Sequence, residues 1–129
     1  MVTAAPAFAS SLVAVTGTLD APVTDGRVTF SHGTFENTTN KPMTITMTWT
    51  MGGPTPYKNA FTAATTPTGW TVTVTATLVT FTITLAAGAT SPAGTFSVTA
   101  KNAGNQTVTC AFKDSVSGDW TTLFADHPL

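Results

Sequence analysis

From Met43 to Met51 the chain reads Met43-Thr44-Ile45-Thr46-Met47-Thr48-Trp49-Thr50-Met51, apolar and threonine in strict alternation. In an extended strand, successive side chains point to opposite faces, so every large apolar group falls on one side and every hydroxyl on the other. A 3.6-residue helical period would scatter both around the whole circumference. The same alternation returns at Trp70–Ala76 and Val79–Leu85, and more loosely at Thr95–Thr99 and Thr107–Phe112. It predicts a shared apolar core made of Met43, Ile45, Met47, Trp49, Trp70, Val72, Val74, Phe81, Ile83, Phe96, Val98 and Phe112.

Two further strands are expected at Leu12–Thr16 and Val28–Phe35. Turn-rich connections separate the strands: Asp20–Gly26, Asn37–Pro42, Gly52–Pro56, Ala86–Gly94, Asn102–Asn105 and Ser115–Gly118. The stretch from Pro56 to Gly69 has no clean period and is expected to cross between sheets. Apolar positions are even-numbered from Trp70 to Ala76 and odd-numbered from Val79 to Leu85, so a tight turn or bulge must reset the register near Thr77 and Leu78. About seven strands with such loops predict an all-β fold, a single antiparallel β-sandwich. With 129 residues there is room for one core. Residues 1–16 are read as an N-terminal arm or edge strand and residues 17–129 as the sandwich.

Composition narrows the function. Threonine supplies about a quarter of the residues, whereas Asp, Glu, Lys and Arg together supply 9%, well below the ~25% usual in soluble domains. The surface is therefore hydroxylated rather than charged. A net charge of −1, with Arg27, Lys41, Lys58, Lys101 and Lys113 scattered singly, offers no field for nucleic acid. No apolar run approaches the ~18–20 residues of a membrane-spanning helix, so neither nucleic acid nor membrane insertion is expected. Ala7-Phe8-Ala9 has the small-x-small form of a signal-peptidase site, but no basic and apolar regions precede it in this sequence. Either these residues belong to a longer precursor, or the protein reaches an exterior setting without that export route.

Candidate chemistry is sparse. The single cysteine, Cys110, rules out an internal disulfide and shares a strand face with Val108 and Phe112, where a packed thiol is expected. Nucleophilic catalysis needs a base beside the nucleophile, and neither His32 nor His127 has such a neighbourhood; His32 is read as a half-buried strand residue. The carboxylates Asp20, Asp25, Glu36, Asp114, Asp119 and Asp126 sit mostly in turn contexts, where they accept backbone N–H groups. The run Asp114–Asp119 lacks the dense alternating ligands of a calcium loop and reads as a hairpin turn. No catalytic residue, metal ligand or cofactor is expected. The Thr-x-Thr rows invite comparison with ice-binding surfaces, but threonine as the β-branched residue suited to a solvated strand face is the stronger reading.

The segments Gly69-Trp70-Thr71-Val72-Thr73-Val74, Val79-Thr80-Phe81-Thr82-Ile83, Leu85-Ala86-Ala87-Gly88-Ala89-Thr90-Ser91-Pro92 and Phe96-Ser97-Val98-Thr99 resemble the Thr-rich immunoglobulin-like conserved repeat domain of bacterial surface proteins. Phe35–Asn40 followed by the Met43 strand looks like that family's first Asn-containing turn. The likeness covers about two-thirds of the chain. Many members carry a pair of cysteines where this chain has Val72 and Phe81, and they occur as tandem modules. Similar immunoglobulin-like domains decorate double-stranded DNA phages.

The resemblance implies an immunoglobulin-like sandwich with no shared catalytic residue. The expected role is a structural surface protein on a virion, as a capsid-decoration or tail-surface subunit. The alternative is an exported cell-surface or filament subunit with adhesive or glycan-binding activity. Expected partners are other protein subunits of a capsid, tail or filament, including copies of itself, with a glycan as a further ligand. Apolar groups near the chain ends, Phe8, Leu12, Val13, Trp120, Leu123 and Phe124, are the candidate assembly contacts. Tyr57 and Trp120 are the candidates for stacking on a sugar.

Overall fold

The computed structural model describes residues 12–20, 26–53, 59–102 and 106–129, together with the backbone of Phe8 and Ala9. These contain ten strands and no helix: β1 (Phe8–Ala9), β2 (Val13–Leu19), β3 (Arg27–Asn37), β4 (Met43–Gly52), β5 (Phe61–Thr65), β6 (Thr71–Val74), β7 (Leu78–Leu85), β8 (Thr95–Ala100), β9 (Thr107–Asp114) and β10 (Trp120–Pro128). They form two five-stranded sheets in the orders β1-β2-β3-β8-β5 and β10-β9-β4-β7-β6. All the strand pairings are antiparallel.

The Met43 strand, β4, lies at the centre of the second sheet. Met47 pairs with Phe81 on one side and Phe112 on the other; Trp49 pairs with Val79 and Cys110. Cross-strand partners share a face, so the alternation in three strands lines up one apolar layer. Ten of the twelve expected core residues are buried. The exceptions are Val72 and Val74, which are 38% and 39% exposed. They do share a face with the buried Phe81 and Val79, but β6 is the sheet's edge strand and its face is left open. Alternation fixes the direction of a side chain and leaves open whether anything covers it.

The strand count is also corrected, from about seven to ten. β5 lacks alternation because it is an edge strand with a register shift between Phe61 and Ala63, and only Phe61 is buried on it. β10 is interrupted by two register shifts, which break its period. β1 is two residues long. The expected crossing between sheets takes place at β5, which belongs to the first sheet while β4 and β6 belong to the second. The register reset near Leu78 is the β6–β7 hairpin: the Thr75 N–H donates to the Leu78 carbonyl (2.8 Å) and the Leu78 N–H to Thr75 Oγ1 (3.1 Å).

In β3 the inward residues change parity, from Val28 and Phe30 to Phe35 and Asn37. A bulge at His32, whose φ is 55°, absorbs the extra residue. His32 is therefore exposed rather than half-buried. The Phe30 ring fills the space beside this bulge, where a Cβ on Gly33 would lie 2.7 Å from it and one on Gly17 2.4 Å.

Five aromatic rings fill the layer between the sheets. Phe96 of β8 meets Phe35, Trp70 and Phe81 edge-on at centroid distances of 6.0, 4.9 and 5.3 Å, and Phe35 meets Phe112 at 5.4 Å. Such edge-to-face pairs add ~0.5–1.5 kcal/mol each beyond the area they bury.

At one end of this layer the buried Asn37 ties the chain's passage between sheets. Its Nδ2 donates to the carbonyls of Lys41 (2.7 Å), Leu85 (3.3 Å) and Ala86 (3.1 Å), while its Oδ1 accepts from the Thr39 N–H (3.0 Å) and hydroxyl (2.6 Å).

Candidate interaction surface

The structure redistributes the candidate assembly contacts. Val13 and Leu123 are buried, and Leu12 and Phe124 pack against the core. The Phe124 ring lies edge-on to Trp49 at 5.2 Å. The chain from Trp120 to Pro128 forms β10, a full member of the second sheet. Its apolar residues serve the fold. Likewise β2 is an integral strand with Val13 and Val15 buried, so the sandwich begins before residue 17. The side chain of Phe8 lies outside the described residues, although its backbone pairs with Val15 in the edge strand β1. Tyr57 also lies outside them.

Trp120 stays in play at 53% exposure. It occupies one end of a row that crosses the outer face of the second sheet: Trp120 pairs with Lys113, Lys113 with Thr46, Thr46 with Thr82 and Thr82 with Thr71. A second row runs Thr122, Ala111, Thr48, Thr80, Thr73. Strands lie ~4.8 Å apart and same-face residues ~6.7 Å apart along each strand, so the threonines of β4, β7 and β6 make a two-dimensional hydroxyl array. Thr44 Oγ1 and Thr84 Oγ1 are 3.0 Å apart in it. Alternation along each strand makes separate rows; their registration across three strands is a product of the pairing. Lys113 Nζ lies 5.3 Å from the Trp120 ring centroid, a cation–π geometry that holds the indole over the array's rim.

Among the described residues the buried ionisable groups are Cys110, Asp114 and His127, whose Nδ1 lies 2.9 Å from the Pro128 carbonyl. Asp114 is buried at the end of β9. Its Oδ1 accepts the N–H groups of Val116 (3.0 Å) and Ser117 (2.6 Å), and its Oδ2 accepts the Ser117 hydroxyl (2.7 Å). The carboxylate closes the β9–β10 turn, with both oxygens engaged. Burial pushes its pKa up, but the Ser117 hydroxyl and the Ser117 and Val116 N–H groups outweigh this and hold it below the usual 3.8. A depressed folded-state value means that this stabilisation is complete above the unfolded value and is lost as pH falls through the folded one. Asp114→Asn should therefore lower the thermal midpoint at neutral pH. It should also show a smaller further fall than the wild type when melts are recorded down to about pH 2.

Cys110 is buried, and burial raises its thiol well above the ordinary range. Among the described residues no three His, Cys, Asp or Glu side chains come together as a metal site. The described residues also contain no helix long and apolar enough to cross a membrane.

No family model matches the chain, and no curated protein matches it. Among solved structures it is similar to an uncharacterized protein from Nocardia farcinica whose crystal structure is described as revealing an immunoglobulin-like fold. The two are 18% identical, with 88% of this chain and 92% of that one covered at a TM-score of 0.42.

Proposed function

We propose that the chain is a non-catalytic structural module of immunoglobulin-like topology, carried in many copies on a phage virion surface as a capsid-decoration or tail-surface subunit. The topology follows from strand order. Taking β2, β3, β8 and β5 as strands A, B, E and D, and β10, β9 and β4 as G, F and C, reproduces the two immunoglobulin sheets. The β6–β7 hairpin adds to the free side of C.

The observation that carries the functional reading is how the side chains are allocated. Apolar groups fill one interlayer core, Asn37 and Asp114 hold turns, and the outer face of the second sheet is left as threonine. Such a surface suits a durable, inert exterior. Contacts to neighbouring subunits are assigned to the N-terminal edge, where β1 is paired on one side only. Deleting residues 1–11 should leave a folded sandwich that no longer joins its capsid, tail or filament. Undiminished occupancy of the truncated chain, measured by co-sedimentation with the assembly, would overturn this assignment.

The exposed Trp120 at the rim of a hydroxyl array favours one second reading, an extracellular or cell-surface subunit that holds a glycan by stacking. Trp120→Ala separates the two readings in the same assay. It should leave protein assembly intact and abolish retention on a polysaccharide only if the second reading holds.

A further inference from the structure

The geometry points to self-association through β6: two copies pair antiparallel along this edge, about a two-fold axis at Thr73, and join their five-stranded sheets into one.

Three independent features of β6 lead there. The first is that this edge is unprotected along Thr71–Val74, up to the point where the Ala76 carbonyl accepts the Phe61 N–H of β5 (2.9 Å). Native edges are normally blunted by charge, proline, bulges or extreme shortness. The other described edges follow that rule, since β1 has two residues, β5 carries a register shift, and β10 carries two shifts and a positive φ at Asp126. The pairing of β6 with β7 is regular throughout, and no Asp, Glu, Lys, Arg or His occurs between Lys58 and Lys101. Its Val72 and Val74 face inward with Phe81 and Val79, yet 38% and 39% of their surface is open.

The second feature is hydrogen-bond parity. The bond from the Thr75 N–H to the Leu78 carbonyl makes residues 75 and 78 a hydrogen-bonded pair. In an antiparallel ladder these pairs alternate with non-bonded ones, so Thr73 and Thr71 turn their amides and carbonyls toward β7. Val72 and Val74 turn theirs to the open edge.

The third is sequence symmetry. Thr71-Val72-Thr73-Val74-Thr75 reads the same in both directions. Antiparallel pairing centred on Thr73 sets Val72 opposite Val74 of the second copy, and Val74 opposite its Val72. Among the described residues their backbone groups have no partner, so each pair exchanges two N–H···O bonds. Four valines then cover one another on the inner face beside Phe81 and Val79. On the outer face Thr73 meets its own counterpart and Thr71 meets Thr75, which extends the hydroxyl array across the junction. β5, which borders the first sheet alongside β6 and meets it where the Phe61 N–H reaches the Ala76 carbonyl, carries Thr62, Ala63, Ala64 and Thr65 after Phe61, none of them bulky or charged. The inference does not depend on the virion reading, because it uses a different edge from β1.

The test uses the full chain in sedimentation velocity over a concentration series. The wild type should form a dimer. Val72→Pro removes an amide that faces the edge while leaving the β6–β7 bonds in place, and Val74→Lys puts a charge on the joined face. Each should weaken dimerisation at least ~10-fold with the β-sheet circular dichroism retained.

Thr73→Cys supplies a register-specific readout that does not rely on those variants folding. Non-bonded antiparallel partners lie ~4.5 Å apart at Cα, within disulfide reach, and Cys110 is buried. The variant should therefore oxidise readily to a covalent dimer, whereas Thr71→Cys, whose partner is Thr75, should not. A wild type that stays monomeric up to about millimolar concentration, in the weak-affinity range, overturns the inference. So does a dimer that survives both edge variants unchanged, or equal cross-linking at positions 71 and 73.

Discussion

Phe96→Ala is expected to destabilise the protein by about 3–5 kcal/mol, the range for emptying a large aromatic site in a packed core. Phe96 is fully buried and touches four rings: Phe30, Phe35, Trp70 and Phe81. Phe81 belongs to the opposite sheet, so the cavity would open in the layer that holds the two sheets together. Neighbouring rings fixed in edge-to-face contacts have little freedom to collapse into it. For a native stability of about 5–15 kcal/mol, the loss is a large fraction of the total, and the denaturant midpoint should fall accordingly with an unchanged m-value. Thr46→Ser, on the outer face of β4, should stay within about 1 kcal/mol of the wild type. A Phe96→Ala midpoint as close to wild type as that of Thr46→Ser would contradict the packing described here.

Asn37→Ala should cost about 2–4 kcal/mol, although it removes only a small polar group. Five hydrogen bonds end on this side chain, with the carbonyls of Lys41, of Leu85 at the end of β7 and of Ala86 on its amide, and the Thr39 N–H and hydroxyl on its oxygen. Leaving buried polar groups without partners costs ~1–3 kcal/mol each, and those nearest solvent recover part of it by binding water. Asn37→Asp makes a sharper test. An ionised carboxylate would turn an oxygen toward three carbonyls in a buried site, which raises its pKa. That variant should gain stability as pH falls and the group is protonated, while the wild type loses the Asp114 contribution over the acid range. Parallel acid profiles for the two proteins would rule out the assigned role of Asn37.

β4, β7 and β9 were legible residue by residue because each lies inside a sheet with one face covered and one open. Burial there follows the two-residue period, and threonine marks the solvated side. The same period misled at β6, where Val72 and Val74 point inward but nothing lies above them. It was silent at β5 and β10, whose register shifts move side chains from one face to the other. His32 and Gly33 gave no sign of the bulge between Phe30 and Phe35, beyond the change of parity between those two phenylalanines. Asn37 and Asp114 both look like turn residues in the sequence; Asp114 closes its own turn through Val116 and Ser117, whereas Asn37 also reaches the Leu85 and Ala86 carbonyls, distant in the sequence.

A single β-sandwich, the apolar faces of its central strands, the place where the β6–β7 register resets, and a hydroxylated surface poor in charge are all readable along the chain. Those properties are local, written in period-2 alternation and composition. Long-range pairing settles that Leu123 and Phe124 belong to a strand of the domain, that the threonine rows of three strands align into one array, and that Thr71–Val74 is left as a regular edge. Each of these depends on which strands become neighbours and which face is covered. That choice is made by chain crossings such as β5 and by the closing loops, where the repeating pattern gives out.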